Sequence, residues 1–74
     1  MDYTDEFKRL IEIVRRLRKD CPWDREQTHE SLRHSFIEET YEAIEAIDQR
    51  RWHELKNELG DVLLHIALQA AIAE

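Results

Sequence analysis

Residues 35–74 read SFIEETYEAIEAIDQRRWHELKNELGDVLLHIALQAAIAE, and the periodicity of this stretch decides the fold. Phe36, Thr40, Ile44 and Ile47, flanked by Ile37 and Tyr41, recur at the spacing of one helical face, while Glu38, Glu39, Glu42 and Glu45 crowd the rest. A helix is therefore expected from about residue 35, where Ser35 and Glu38 have capping-box spacing, to about residue 48. Leu55, Leu59, Val62, Leu63, Ile66, Ala70 and Ala73 form a second stripe, which predicts a helix from about Trp52 to the end. Only the polar turn 48–51 separates the two, so they should be antiparallel neighbours. Gly60 is the one weak helix former in the second stripe, at a cost of about 1 kcal/mol relative to Ala that close approach of another helix or a ligand would justify.

Working upstream, Phe7, Leu10, Ile11, Val14 and Leu17 give a third stripe and predict an N-terminal helix from Thr4 or Asp5, either of which can cap it, to about Lys19. Arg15, Arg16, Arg18 and Lys19 gather near its negative end, and Pro22 closes it. Residues 20–31, DCPWDREQTHES, are polar, carry the single proline and lack a helical period, which reads as a loop with at most one short helical turn. A connector this long in a small domain more often binds something than merely links elements. Trp23, beside Pro22, has two readings: a plug over the core, which is the commoner role, or a stacking platform for a base.

Seventy-four residues make one domain, 1–74, with no room for a second. One Gly and one Pro leave almost no punctuation for hairpins or strands, so the fold class is all-α: a helical hairpin plus an N-terminal helix. Three apolar stripes exceed what so short a chain can cover, and partner chains are expected. Eleven Lys and Arg against 17 Asp and Glu, a net charge of -6, argue against sequence-independent binding to nucleic acid or to an anionic membrane. No apolar run approaches the roughly 20 residues that span a bilayer. The lone Cys21 and the highly charged N-terminus point to a reducing, cytoplasmic setting.

The chemistry lies in the acidic residues of the hairpin. Glu39 and Glu42 are three residues apart, as are Glu58 and Asp61, so each pair projects from one side of its helix. Antiparallel packing at about 8–10 Å allows the two pairs to face each other across one small volume. An all-carboxylate site with open positions suits Mg²⁺ or Mn²⁺. An ordinary solvated acidic face has the same spacing, and it is the commoner outcome for such pairs. Zinc is disfavoured, because His29, His34, His53 and His65 do not form HExxH and Cys21 has no CxxC partner. A di-iron carboxylate bundle would need His three residues after Glu39 or Glu58, and neither has it. Glu38 has a structural role open to it as a helix cap, and His65, one turn beyond Asp61, reads first as a packing residue and second as a phosphate contact. No Gly-rich phosphate loop or GxSxG elbow is present.

The motifs CPWDREQTHESL at 21–32, FIEETYEAIEAID at 36–48 and ELKNELGDVLL at 54–64 occur in an order that closely resembles the MazG family of nucleoside triphosphate pyrophosphohydrolases. The resemblance covers nearly the whole chain. It implies a dimer whose helices complete a four-helix bundle, sometimes paired again into a homotetramer. It also implies Mg²⁺-dependent hydrolysis of a nucleoside triphosphate to the monophosphate and pyrophosphate. Transferred residue by residue, Glu39, Glu42, Glu58 and Asp61 would be metal ligands. Glu38 would be a catalytic residue acting in water activation, support of the ligands or helix capping, and Trp23, Asp24, Arg25 and Gln27 would be weaker substrate contacts. Family domains usually continue past the position of Glu74 into a further helical segment with basic residues, for which Arg33 and Lys56 are the nearest internal substitutes. The competing reading is a catalytically silent helical dimerisation module.

Overall fold

The computed structural model describes residues 3–74, and their low Gly and Pro content is expressed as four helices: α1 (Thr4–Asp20), α2 (Pro22–Glu26), α3 (Arg33–Asp48) and α4 (Trp52–Ile72). No strand occurs among the described residues. The short α2 is the helical turn expected inside the connector, with Pro22 at the first helical position, where its missing N–H costs nothing.

The helix starts differ from the expected caps. Tyr3 is the N-cap of α1, while Asp5 and Glu6 in the first turn and Arg18 and Lys19 in the last complement the macrodipole. Leu32 is the N-cap of α3, so Ser35 lies within the helix and the expected capping box does not form. The reason lies upstream, where Thr28 and Ser31 bond each other's backbone N–H groups at 2.8 and 3.0 Å and close a turn of their own. That turn delivers Leu32 into the core, and its burial fixes where α3 begins. Glu38 bonds His34 Nε2 at 2.9 Å instead of reaching back to a cap.

Between α3 and α4, Arg50 adopts a left-handed φ of 56°. The N–H of Arg51 bonds the carbonyl of Ala46 at 2.9 Å and the N–H of Arg50 that of Ile47 at 3.1 Å, the two bonds of a Schellman ending. The turn reverses the chain and lays α4 along α3.

Val14, Leu32, Ala67 and Leu68 form the core, with Leu10, Ile11, Ala71 and Ile72 packed against it. It sits between α1 and the C-terminal half of α4. Arg15 reinforces that end, its guanidinium paired with the Glu74 carboxylate and holding that carboxyl below its usual range. Both partners are exposed, so the pair adds little stability. Across the hairpin, α3 meets α4 through the buried Ala43 and Ala46 and through Phe36, whose ring stacks on His65 at 5.3 Å.

The buried face of α3 is therefore not the expected stripe. Ile37 (66% exposed), Tyr41 (69%), Ile44 and Ile47 remain uncovered, as do Leu59, Leu63 and Ile66 of α4. Small alanines permit close approach of the two backbones, and the large apolar side chains are left beside the contact, not within it. Gly60 has open space where a Cβ would stand, so no close approach among the described residues accounts for it. Trp23 is 59% exposed and does not plug the core.

Arg50→Gly should raise the unfolding free energy by about 0.5–1 kcal/mol, because relief of the left-handed backbone outweighs the freedom that glycine adds to the unfolded chain. Chemical unfolding at fixed protein concentration measures this, and an unchanged or lower midpoint would contradict it.

Candidate metal centre

The alanine contact of α3 with α4 places Glu39 opposite Glu58 and Asp61. One carboxylate oxygen from each of the three lies within 4.8 Å of the others. Two oxygens held about 2.1 Å from one Mg²⁺ span at most roughly 4.2 Å, so the trio is close to the size of a single coordination sphere. Glu39 and Glu58 are half-buried and Asp61 is exposed, which leaves one side of the cluster open to solvent. The Oε2 atoms of Glu39 and Glu58 are buried and have no hydrogen-bond partner among the described residues. Buried carboxylate oxygens without partners are costly, and a hard cation is the ligand that satisfies both at once.

Glu42 stands at the edge of this trio and within reach of Glu58. The Glu42 carboxyl is pushed above its usual range, first by the Glu58 carboxyl with which it can share a proton, then by burial and by the charges of Glu38 and Asp61. Glu39 is raised as well, first by burial and then by the negative charges of Glu42 and Asp61. The four carboxylates singled out by spacing therefore converge electrostatically, and three of them share one small volume. Glu38 lies outside the trio, paired with His34 and close enough to Glu42 to oppose its charge.

The other expected contacts are placed elsewhere. Helix α2 rests on α1 and touches neither α3 nor α4, so Trp23, Asp24 and Arg25 are not brought against the carboxylates of their own chain. Arg25 donates to the carbonyl of Lys19 at 3.3 Å. Gln27 donates to the carbonyl of Trp23 at 3.0 Å and accepts from Ser31 Oγ at 2.8 Å, which occupies its amide within the loop. Arg33 lines an open apolar groove with Phe36, Ile37, Tyr41 and Ile44, away from the acidic cluster. His65 is only 8% exposed and stacks on Phe36, with Nδ1 buried and unpartnered, so its packing reading holds. Sequence reading missed Arg18, whose guanidinium gathers the carbonyls of Asp24, Arg25 and Gln27. A basic residue four positions ahead of a proline-opened turn was the available signal.

The hairpin is all-helical and presents convergent Glu and Asp side chains to an open volume, a donor set that could hold a divalent cation. Residues 27–74 match the model of the MazG nucleotide pyrophosphohydrolase domain, and the chain belongs to that family. It is 52% identical over 69 residues to the nucleoside triphosphate pyrophosphohydrolase/pyrophosphatase MazG of Thermotoga maritima, covering 90% of this chain and 27% of that protein. Similarity extends to the nucleoside triphosphate pyrophosphohydrolases of Mycolicibacterium smegmatis, at 47% identity with 90% of this chain and 22% of the relative covered, and of Escherichia coli K12, at 38% with 95% and 28% covered. The chain thus spans about a quarter of the length of these curated relatives. No helix of the described residues is long and apolar enough to cross a membrane.

Because the raised carboxyls of Glu39 and Glu42 bind protons more tightly folded than unfolded, they oppose folding at neutral pH. That opposition is relieved as pH falls through their raised values toward the ordinary carboxylate range and is fully relieved below it. Metal-free protein should therefore gain stability from these two groups over this window, and Glu42→Gln should melt higher than wild type at pH 7 with the difference shrinking as pH falls. Thermal scans in chelator across that range test the sign, and a wild-type advantage at neutral pH would refute it.

Proposed function

We propose that this chain is a Mg²⁺-dependent nucleoside triphosphate pyrophosphohydrolase domain that works as a homodimer or homotetramer, with Mn²⁺ as an alternative ion. The observation that carries the reading is the convergence of Glu39, Glu58 and Asp61, with Glu42 beside them, inside the segment that matches the family. Glu39, Glu42, Glu58 and Asp61 would hold the ions. A bound divalent cation supplies neutralising charge to the triphosphate oxygens and polarises the phosphorus under attack. The carboxylates would fix where the ions sit and so where the triphosphate lies, over the open edge of the cluster, with a water oxygen bonding to the α-phosphorus as the bond from that phosphorus to the bridging oxygen of pyrophosphate breaks. Glu38, next to Glu42 but outside the trio, takes the proton of that water.

The exposed apolar stripes support a second copy of the chain as the partner. Ile37, Tyr41 and Ile44 lie on the flank of α3 opposite Glu39 and Glu42, and with Leu59, Leu63 and Ile66 they are open to solvent in a single chain. A second copy laid on this face buries both stripes and makes the four-helix bundle implied by the resemblance, leaving the carboxylates accessible.

Glu42→Gln preserves size and helix propensity but deletes a ligand charge, so it should lower metal-dependent pyrophosphate release on the order of 100-fold without loss of helix content. Release should be assayed over a panel of NTPs and dNTPs, and wild-type turnover by the mutant at saturating Mg²⁺ would remove the ligand assignment. Mg²⁺ at about 100 times its Kd should stabilise wild type by roughly 2.7 kcal/mol, well beyond sodium chloride at matched ionic strength. Stabilisation by Mg²⁺ without any pyrophosphate release would instead establish the silent module. Sedimentation at micromolar concentration should give a dimer or larger, and a monomer mass would overturn the assembly.

A further inference from the structure

Of the four glutamates on α3, three are engaged within the hairpin. Glu39 lies in the carboxylate trio, Glu42 reaches Glu58, and Glu45 bonds Gln49 Nε2 at 3.2 Å and faces Arg51 at 3.9 Å. Glu38 is held differently. Its Oε1 lies 2.9 Å from Nε2 of His34, the one ion-pair partner it has among the described residues. One oxygen of Glu38 is therefore tied, and the other is free for a different bond. His34, Glu38 and Glu42 stand one turn apart in a row along α3, and the charge of Glu38 acts on Glu42, so the imidazole is the outer member of a line that runs to the acidic cluster. The pair is poorly arranged for stabilising a helix. Its basic member precedes its acidic one, the weaker of the two orders at this spacing, and His34 joins Arg33 in a first turn without acidic residues, where the positive end of the macrodipole opposes a cation. The side chains are 85% and 58% exposed, and such a pair adds little to folding. What the contact does fix is the direction of a carboxylate, because an unheld glutamate on a helix surface turns among several rotamers.

We propose that His34 is a positioning residue for Glu38: its imidazole N–H holds one carboxylate oxygen so that the other is aimed at the water beside the acidic cluster. This rests on the triphosphate-hydrolysis reading, in which Glu38 accepts the proton of that water, and adds the group that aims the acceptor. A proton acceptor works only within hydrogen-bond reach of its proton, and a carboxylate that wanders off one turn of helix loses that reach. His34 itself touches neither substrate nor ion, and its effect passes through Glu38 alone.

The test uses the full chain with His34→Ala, His34→Gln, Glu38→Gln and the double variant His34→Ala with Glu38→Gln. Glutamine carries its Nε2 the same number of bonds from Cα as histidine does, so it can donate to the same oxygen without an imidazole. His34→Ala should lower kcat for a nucleoside triphosphate at least about tenfold with KM little changed. His34→Gln should recover most of that loss. In the Glu38→Gln background His34→Ala should have no further effect, as expected of a residue that acts only through that carboxylate. Stabilisation by Mg²⁺ in thermal scans should match wild type in both His34 variants, since the ion-binding carboxylates are untouched. Unchanged kcat in His34→Ala, an undiminished effect of His34→Ala in the Glu38→Gln background, no recovery with glutamine, or loss of the Mg²⁺ response each overturns the proposal and leaves the hydrolysis reading standing. Absence of turnover in the otherwise unaltered chain would defeat the hydrolysis reading itself, and the positioning role with it.

Discussion

The packing of α3 on α4 through Ala43 and Ala46 is the contact from which the other features follow. Alanine has no side chain to hold two helices apart, so the backbones approach closely and the residues flanking the contact are carried toward each other. On one flank those residues are Glu39 and, across from it, Glu58 and Asp61. Leucines in place of the alanines would bury more apolar area but separate the helices and pull the carboxylates apart. The hairpin thus gives up core volume for proximity of like charges, which is the reverse of what stability alone would select.

That exchange explains why the chain has so little core of its own. Val14, Leu32, Ala67 and Leu68 are buried beneath α1, while the larger apolar residues of α3 and the stripe Leu59, Leu63 and Ile66 face outward. An isolated chain therefore carries two liabilities, repelling carboxylates on one flank of the hairpin and exposed apolar side chains on the other. On the proposed function they would be relieved by different ligands, a cation for the first and a second chain for the second. Each would bind only the folded form and so would add to the stability of the same helix pair.

Much of this arrangement was legible in the sequence. The three long helices follow from apolar periodicity, and the antiparallel hairpin follows from the short polar turn at 48–51. The four carboxylates follow from residues three apart on each arm, since helical geometry alone puts each pair on one side. What periodicity does not reveal is which stripe a helix buries. Ile37, Tyr41, Ile44 and Ile47 make up most of the more hydrophobic face of α3, yet Ala43 and Ala46 are buried, because steric fit between backbones outranks hydrophobicity when another surface remains to cover the larger residues. The start of α3 was misplaced for a related reason: the Thr28 and Ser31 turn and the burial of Leu32 are decided by tertiary contacts, and they override a capping box written into the local sequence.

The connector shows where single-residue reading reaches its limit. Trp23 beside a proline reads as a plug, because a large ring usually finds apolar cover within its own domain. Here the bonds from Arg18 and Gln27 run to backbone carbonyls, which have no side-chain identity and leave no motif in the sequence. They hold α2 against α1 by its main chain and so leave the indole free of packing duty. A turn held by bonds to its backbone carbonyls can display Trp23 without packing it, while the side chains of Arg25 and Gln27 are spent on holding the turn. This separation of scaffold from display is what allows a chain with so few buried residues to carry both an acidic centre and an ordered loop.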